Sequence, residues 1–263
     1  MVGEGAVVET CPRCGTFAPL VDTGLKRVCG PCVEPSLHPI QRARGDVVRL
    51  LAGLWQVMGE FGWLHLVILA ALLAPWWLYA PLKPATWLPF LFVYLSMMSA
   101  AEALTFLVWR DRRLRGRPVE WSALAPAIGR VWVANLVLGL LSLFCSPVAF
   151  LFGPISSVVA LAALERRGAL DAIRTAWARS DGGRVGLVVA YLITFIPMVV
   201  STVVASGVVS AFLWFGGARG AQVVEPAAVA AFVGMSVGML PAVVMQAGAW
   251  LATLPVSRPA GPP

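Results

Sequence analysis

Residues 131–164 read VWVANLVLGLLSLFCSPVAFLFGPISSVVALAAL, an unbroken apolar run without a single charged side chain. As one straight helix the run would extend about 51 Å, well beyond the ~30 Å hydrocarbon core of a bilayer. As two helices it gives about 17 residues each, the lower limit for a crossing. The flanks choose between these. Arg110, Arg112, Arg113, Arg115, Arg117 and Arg130 precede the run, and Arg166, Arg167, Arg174, Arg179 and Arg184 follow it. Arginine-rich segments between spans stay on the cytoplasmic side, so an even number of crossings must separate the two flanks. The run is read as a tight hairpin turning between Cys145 and Pro154, where Ser146-Pro147 and Gly153-Pro154 break a helix. A re-entrant loop would satisfy the same charge rule.

Outward from this hairpin lie four more apolar runs, at about 62–80, 86–109, 185–215 and 227–254. The chain is therefore expected to be an all-α polytopic membrane protein with six transmembrane helices and both ends inside. All but Lys83 and Arg219 of its 20 Lys and Arg residues then fall on the inner side. Trp76, Trp77, Tyr79, Trp87 and Trp214 are expected to mark the outer interface, and Trp63, Trp109, Trp132 and Trp250 the inner one. Pro197 and Pro241 fall inside the last two runs and should kink them. Composition agrees: 59% of the 263 residues are hydrophobic and 13% charged, where soluble domains have about 45–50% and 25%. The mean hydropathy is +0.81.

Four regions result: a cysteine module at 1–40, an amphipathic segment at 41–61, the transmembrane domain at 62–255 and a disordered tail at 256–263. Met1 to Thr10 contain neither the basic nor the apolar part of a secretory signal. The expected location is the bacterial cytoplasmic (inner) membrane, with cytoplasmic termini. In the amphipathic segment Val47, Leu51, Leu54, Trp55 and Met58 form one stripe beside Arg42, Arg44 and Arg49. Such a stripe suits a helix at the membrane interface or one packed on other helices. Arg44-Gly45, Arg115-Gly116 and Arg167-Gly168 each precede an amphipathic stretch with a tryptophan and then a span. Three repeated units or chance likeness among arginine-glycine loops would both produce this.

The net charge of +7 does not point to nucleic acid. Within residues 1–40 Arg13, Lys26 and Arg27 are outnumbered by Glu4, Glu9, Asp22 and Glu34, which is no basic footprint for a phosphate backbone. What this segment does carry is Cys11-Pro12-Arg13-Cys14-Gly15 and Cys29-Gly30-Pro31-Cys32, a C-x2-C-x14-C-x2-C pattern. Four thiolates so spaced can converge tetrahedrally on one ion, and the reading is a structural Zn2+ held by Cys11, Cys14, Cys29 and Cys32 in a zinc-ribbon-like module. Gly15 is placed to take the positive φ that curls the turn around a sulfur, and Asp22-Thr23-Gly24 to turn a short hairpin. About 40 residues bury too little surface to fold alone, so metal would supply the folding energy. Disulfides are the rival in an oxidising compartment. A redox pair at Cys-Gly-Pro-Cys is another, but that needs a βαβ domain behind it. His38 is a possible additional ligand, and Cys145 is read as inert packing.

Ionisable groups inside spans are costly and mark candidate sites. Glu102 is the main one, with Ser99 and Thr105 on its face; His65 and Asn135 lie in the same half of the membrane. Together Glu102, His65 and Asn135 could line a polar site for a solute or head group. Alternatively Glu102 pairs with an arginine such as Arg130 and joins helices. Gly234-Met235-Ser236-Val237-Gly238 spells the G-x-S-x-G of a hydrolase turn, but it lies within a helical span and lacks a base. Gly234 and Gly238 are read instead as a helix-contact pair.

The segment Glu165-Arg166-Arg167-Gly168-Ala169-Leu170-Asp171-Ala172-Ile173-Arg174-Thr175-Ala176-Trp177, followed by Gly182-Gly183-Arg184 and another span, resembles the membrane domain attached to some bacterial glycerophosphodiester phosphodiesterases and related six-helix proteins. Gly153-Pro154-Ile155 resembles a turn common in such domains, and Ala176 stands where they have serine. The likeness covers residues 90–215. It implies a helical membrane fold and no catalysis, because the phosphodiesterase activity of those proteins resides in a separate soluble barrel. The expected function is non-enzymatic: a scaffold or lipid-interacting protein with a cytoplasmic protein partner at the zinc module. The second expectation is a transporter or transport accessory working through Glu102.

Overall fold

The computed structural model describes residues 8–43, 46–79, 87–144 and 155–255. The expected turn at 145–154, Cys145, Lys83, Arg44-Gly45 and the tail at 256–263 lie outside these residues. Three short antiparallel strands open the chain: β1 (Val8–Thr10), β2 (Phe17–Asp22) and β3 (Arg27–Cys29), in the order β1-β2-β3. The β2–β3 hairpin turns where expected, with Asp22 accepting from Gly24 N at 2.7 Å and Thr23 Oγ1 donating to Lys26 O at 2.8 Å. Single helical turns at Val33–Ser36 and Pro39–Arg42 lead out of the module.

Nine helices follow among the described residues. Helix α1 (Val47–Phe61) is capped by Asp46, whose carboxylate accepts from Val48 N and Arg49 N. Its buried stripe is Leu50, Gly53, Leu54, Val57 and Phe61, while Trp55 is 76% exposed. The hydrophobic face is therefore rotated from the expected one: α1 packs on the bundle with its leucines and turns Trp55 outward. An 86° bend at Gly62 leads into α2 (Leu64–Tyr79). Helix α3 (Trp87–Val108) ends in a π-helical turn at Trp109–Leu114. Helix α4 (Leu124–Phe144) is followed, after the undescribed stretch, by α5 (Val158–Leu164), in which all seven residues are buried. An all-round apolar helix of Val, Leu and Ala suits a protein core or a membrane span, and α5 packs against α3, α4 and the two later helices α6 (Ala169–Arg179) and α9 (Leu240–Ala252).

Helix α7 (Arg184–Phe215) runs 32 residues with Pro197 inside it. It packs along α8 (Ala221–Gly238). A β-carbon at Gly234 would collide with the Ser201 backbone, and one at Gly238 with Met198. The two glycines thus let the backbones touch, and Ser201 Oγ uses the proximity to donate to Gly234 O at 2.6 Å. Pro241 sits in the first turn of α9, just past the break that ends α8 at Gly238.

Four helical stretches are long and apolar enough to cross a membrane: Pro89–Leu114, Trp121–Leu141, Arg184–Phe215 and Pro226–Ala252. A fifth exists if the bent pair α1–α2 counts as one span. Only Gly186, Leu187 and Ala190 of α7 are buried; Ile196, Val200, Val204, Val208 and Phe212 point outward. An apolar stripe of that length on the outside of a helix is what contact with lipid requires.

Candidate metal centre and buried polar cluster

The turn after β1 and the turn after β3 bring four sulfurs together. The Sγ atoms of Cys11, Cys14, Cys29 and Cys32 all lie within 4.8 Å of one another. Sulfurs held about 2.3 Å from a central ion in a tetrahedron stand about 3.8 Å apart, so the set fits one metal ion. The cysteines are free of disulfides. Gly15 has φ +76°, as the turn demands, and its N–H reaches Cys11 O at 2.9 Å. The thiols titrate unequally. A hydrogen bond from Cys29 N first, then other N–H groups, lowers Cys11 to about 6. The neighbouring Cys29 sulfur and burial push Cys32 up to about 12. Protons leave two of the sulfurs readily, and the next negative charge is resisted. A divalent cation at the centre removes that repulsion, so the donor set makes chemical sense as four thiolates around a metal. The sheet behind Cys29-Gly30-Pro31-Cys32 is three-stranded and antiparallel, without the βαβ support a redox pair requires.

His38 is not near this centre. Its Nε2 pairs with Glu60 Oε1 at 2.8 Å, and its Nδ1 accepts from Ile40 N. Glu60 also accepts from Trp109 Nε1 at 3.1 Å, so one carboxylate ties the module to α1 and α3. Ile40 is fully buried against Gly53 and Gly248, and Leu254 closes on Gly24. The module is docked on the bundle and both ends of the described chain meet there.

The same end holds the basic segments. Asp111, fully buried, is gripped by Arg110 at 2.8 Å and by Arg117 at 3.2 Å. Arg110 also donates to Leu164 O at 2.8 Å, Arg130 to Ala162 O at 3.0 Å, and Arg166 to Glu120 at 2.9 Å. The two flanks of the 131–164 run are thus in direct contact. Glu165 accepts bidentately from Arg179 at 2.6 and 2.9 Å, from Trp250 Nε1 at 2.9 Å and from Arg167 at 3.3 Å. Trp109 and Trp250 are the two largest fully buried side chains. They were expected at the lipid interface, yet two carboxylates draw their indole N–H groups inside. No charge or periodicity signal near either tryptophan announces that partner.

Within the bundle Glu102 is 2% exposed, and Ser99 and Thr105 are fully buried on the same face. Asn135 Nδ2 donates to Glu102 Oε2 at 2.6 Å and to Ser99 Oγ at 3.2 Å. Gln246 Nε2 reaches Glu102 Oε1 at 3.5 Å. Glu102 and Asn135 are brought together as expected. His65 is not: its Nδ1 lies 2.8 Å from Gly62 O and its ring against Phe61. Arg130 is occupied by Ala162 rather than Glu102. Nothing local in the sequence links Gln246 to a carboxyl 144 residues away. Ser236 is fully buried in α8.

The chain matches no protein-family model, no curated protein and no solved structure.

Glu165 gives the charged end a pH signature. Burial works to raise its pKa, but hydrogen bonds from Arg179, Trp250 and Arg167 together outweigh burial and hold the carboxyl below its ordinary 4.5. A carboxylate depressed in the folded state stabilises fully above the unfolded value and loses that contribution as pH falls through the folded one. Glu165→Gln should therefore lower stability at pH 7 by roughly 3 kcal/mol, because the largely buried Arg179 loses its bidentate charged acceptor. The difference in Tm from wild type should shrink as the pH drops below 4.5. A gap independent of pH would show that packing, and not the ion pair, holds this corner.

Proposed function

We propose that this is a non-enzymatic integral protein of the bacterial cytoplasmic membrane whose cytoplasmic zinc ribbon is a fixed docking platform for a protein partner. The observation that carries this reading is the rigid mounting of the four-cysteine module. Glu60 joins His38 to Trp109, and Ile40 is buried between α1 and α9. A module so anchored presents its outer surface at a set distance from the lipid. Four cysteine sulfurs favour Zn2+, and a reducing cytoplasm keeps them as thiols. Contact between the basic flanks at Arg166–Glu120 and Arg110–Leu164 supports a common cytoplasmic side for both. In this reading the chain crosses six times, with α2 as the first crossing and α4 and α5 on the two arms of the expected hairpin. The likeness of residues 90–215 to the membrane domain of glycerophosphodiester phosphodiesterases would supply a helical frame and no activity. Cys11→Ser with Cys29→Ser should abolish the roughly one equivalent of zinc per chain expected by elemental analysis. It should also abolish partner cross-linking in cells while membrane insertion persists. Unchanged metal content would contradict the proposal.

A second reading, transport of a small solute or lipid head group, is favoured by one observation. Beside Glu102, the Oε1 of Gln246 is buried without a hydrogen-bond partner among the described residues. Such an acceptor is costly unless something else is bound there. Glu102→Gln should then abolish uptake or ligand binding in reconstituted vesicles with insertion unchanged; a fully active variant removes this reading.

A further inference from the structure

Between the cysteine module and the segment after α3 lies a cleft of ≈ 830 Å³. Arg13, Lys26 and Arg27 line it from the module and Arg115 from the membrane domain, with Glu9 as the acid among them. Glu9 is already engaged by Arg27 at 3.3 Å, and Arg13 reaches Ser36 Oγ at 3.0 Å. Among the described residues the Lys26 ammonium has no partner, and the Nε of Arg115 is buried with no acceptor. Four cations against one lining carboxylate leave the cleft net positive, and a buried guanidinium N–H without an acceptor is costly. Burial, with the charges of Arg110 and Arg117, outweighs the nearby Asp111 and Asp22 and pulls the Arg115 pKa below its ordinary value. An anion in the cleft would relieve all of these at once. The residues are separated in sequence by up to about a hundred positions, so residues 1–40 read alone as slightly acidic while the folded module turns its cations to one side.

We propose that this cleft binds a phosphate-bearing anion, supplied by an anionic lipid head group or by a soluble phosphate compound. Arginine forks and a lysine ammonium are the donors such oxygens prefer. Arg115 stands just past Leu114, the last residue of a candidate span, and the topology proposed above would put the cleft near head-group depth. The inference rests on the module being a metal-folded unit, as proposed above.

The test uses zinc-loaded full-length protein in neutral detergent. Calorimetry follows binding of inorganic pyrophosphate, dioctanoyl phosphatidylglycerol and, as the uncharged control, dioctanoyl phosphatidylcholine. Phosphatidylglycerol binding without pyrophosphate binding assigns a lipid source; pyrophosphate binding assigns the free phosphate group. In either case Arg115→Gln combined with Lys26→Gln should weaken binding at least tenfold with zinc content unchanged. Should the double variant lose zinc, the exposed Lys26→Gln alone should still weaken binding about threefold. Failure of the zinc-loaded wild type to bind either anion overturns the proposal. So does equal binding of the phosphatidylcholine, or undiminished binding by a zinc-retaining variant. A wild-type protein that holds no metal sinks the underlying zinc reading instead, and the two failures are distinguishable.

Discussion

Charge cannot be left in hydrocarbon, and this chain meets that constraint by collecting its cations at one end and tying them down with buried carboxylates. Glu60 joins His38 and Trp109; Asp111 joins Arg110, Arg117 and the backbone of Glu120; Glu165 joins Arg179, Arg167 and Trp250. Glu60 and Glu165 connect elements that are far apart in sequence, while Asp111 orders the turn from Arg110 to Glu120. Isolated surface ion pairs contribute little, but here the acceptors are partly or wholly buried, and removing one would strand its partners in a dry environment. The basic loops, the cysteine module and the ends of the described chain are held together by this set. The helices extend from it with apolar surfaces outward.

Much of that frame is legible in the sequence because the signals are local. Cysteine spacing gives the sulfur cluster, Asp22-Thr23-Gly24 gives the hairpin, and Gly15 gives the positive φ. Gly234 and Gly238 give a helix contact because nothing else explains two glycines four residues apart in an apolar run. The polar face of Ser99, Glu102 and Thr105 follows from helical periodicity. What is not legible is long-range. Trp109 and Trp250 look like interfacial tryptophans until Glu60 and Glu165 are found beside them. His38 resembles a spare metal ligand, yet Glu60, 22 residues on, takes it. Of the stripe on α1, Leu54 is buried and Leu51 and Met58 pack against the core, but Trp55 counts as apolar in a periodicity argument while the packed surface selects Leu50 and Val57. Gln246 meets Glu102 through the fold alone.

The two polar places in the molecule differ in character. The Glu102 cluster is small, deep and occupied by amide donors from α4 and α9, which suits helix cohesion as well as ligand binding. The basic cleft is large, lies at the junction of module and bundle, and sets four cations against one lining acid, Glu9. A scaffold whose outer module is fixed to the membrane domain would have use for such a junction, since its walls come from both parts and anything bound there bridges them.

All of this depends on the charged end, with its cysteine module, lying on one side of the bilayer and Arg219 on the other. Labelling with a membrane-impermeant maleimide measures that directly, with wild type setting the background from native cysteines. Arg219→Cys should be labelled in intact cells, and Arg113→Cys, an exposed position at the charged end, only after permeabilisation. Labelling of Arg113→Cys in intact cells would contradict the account.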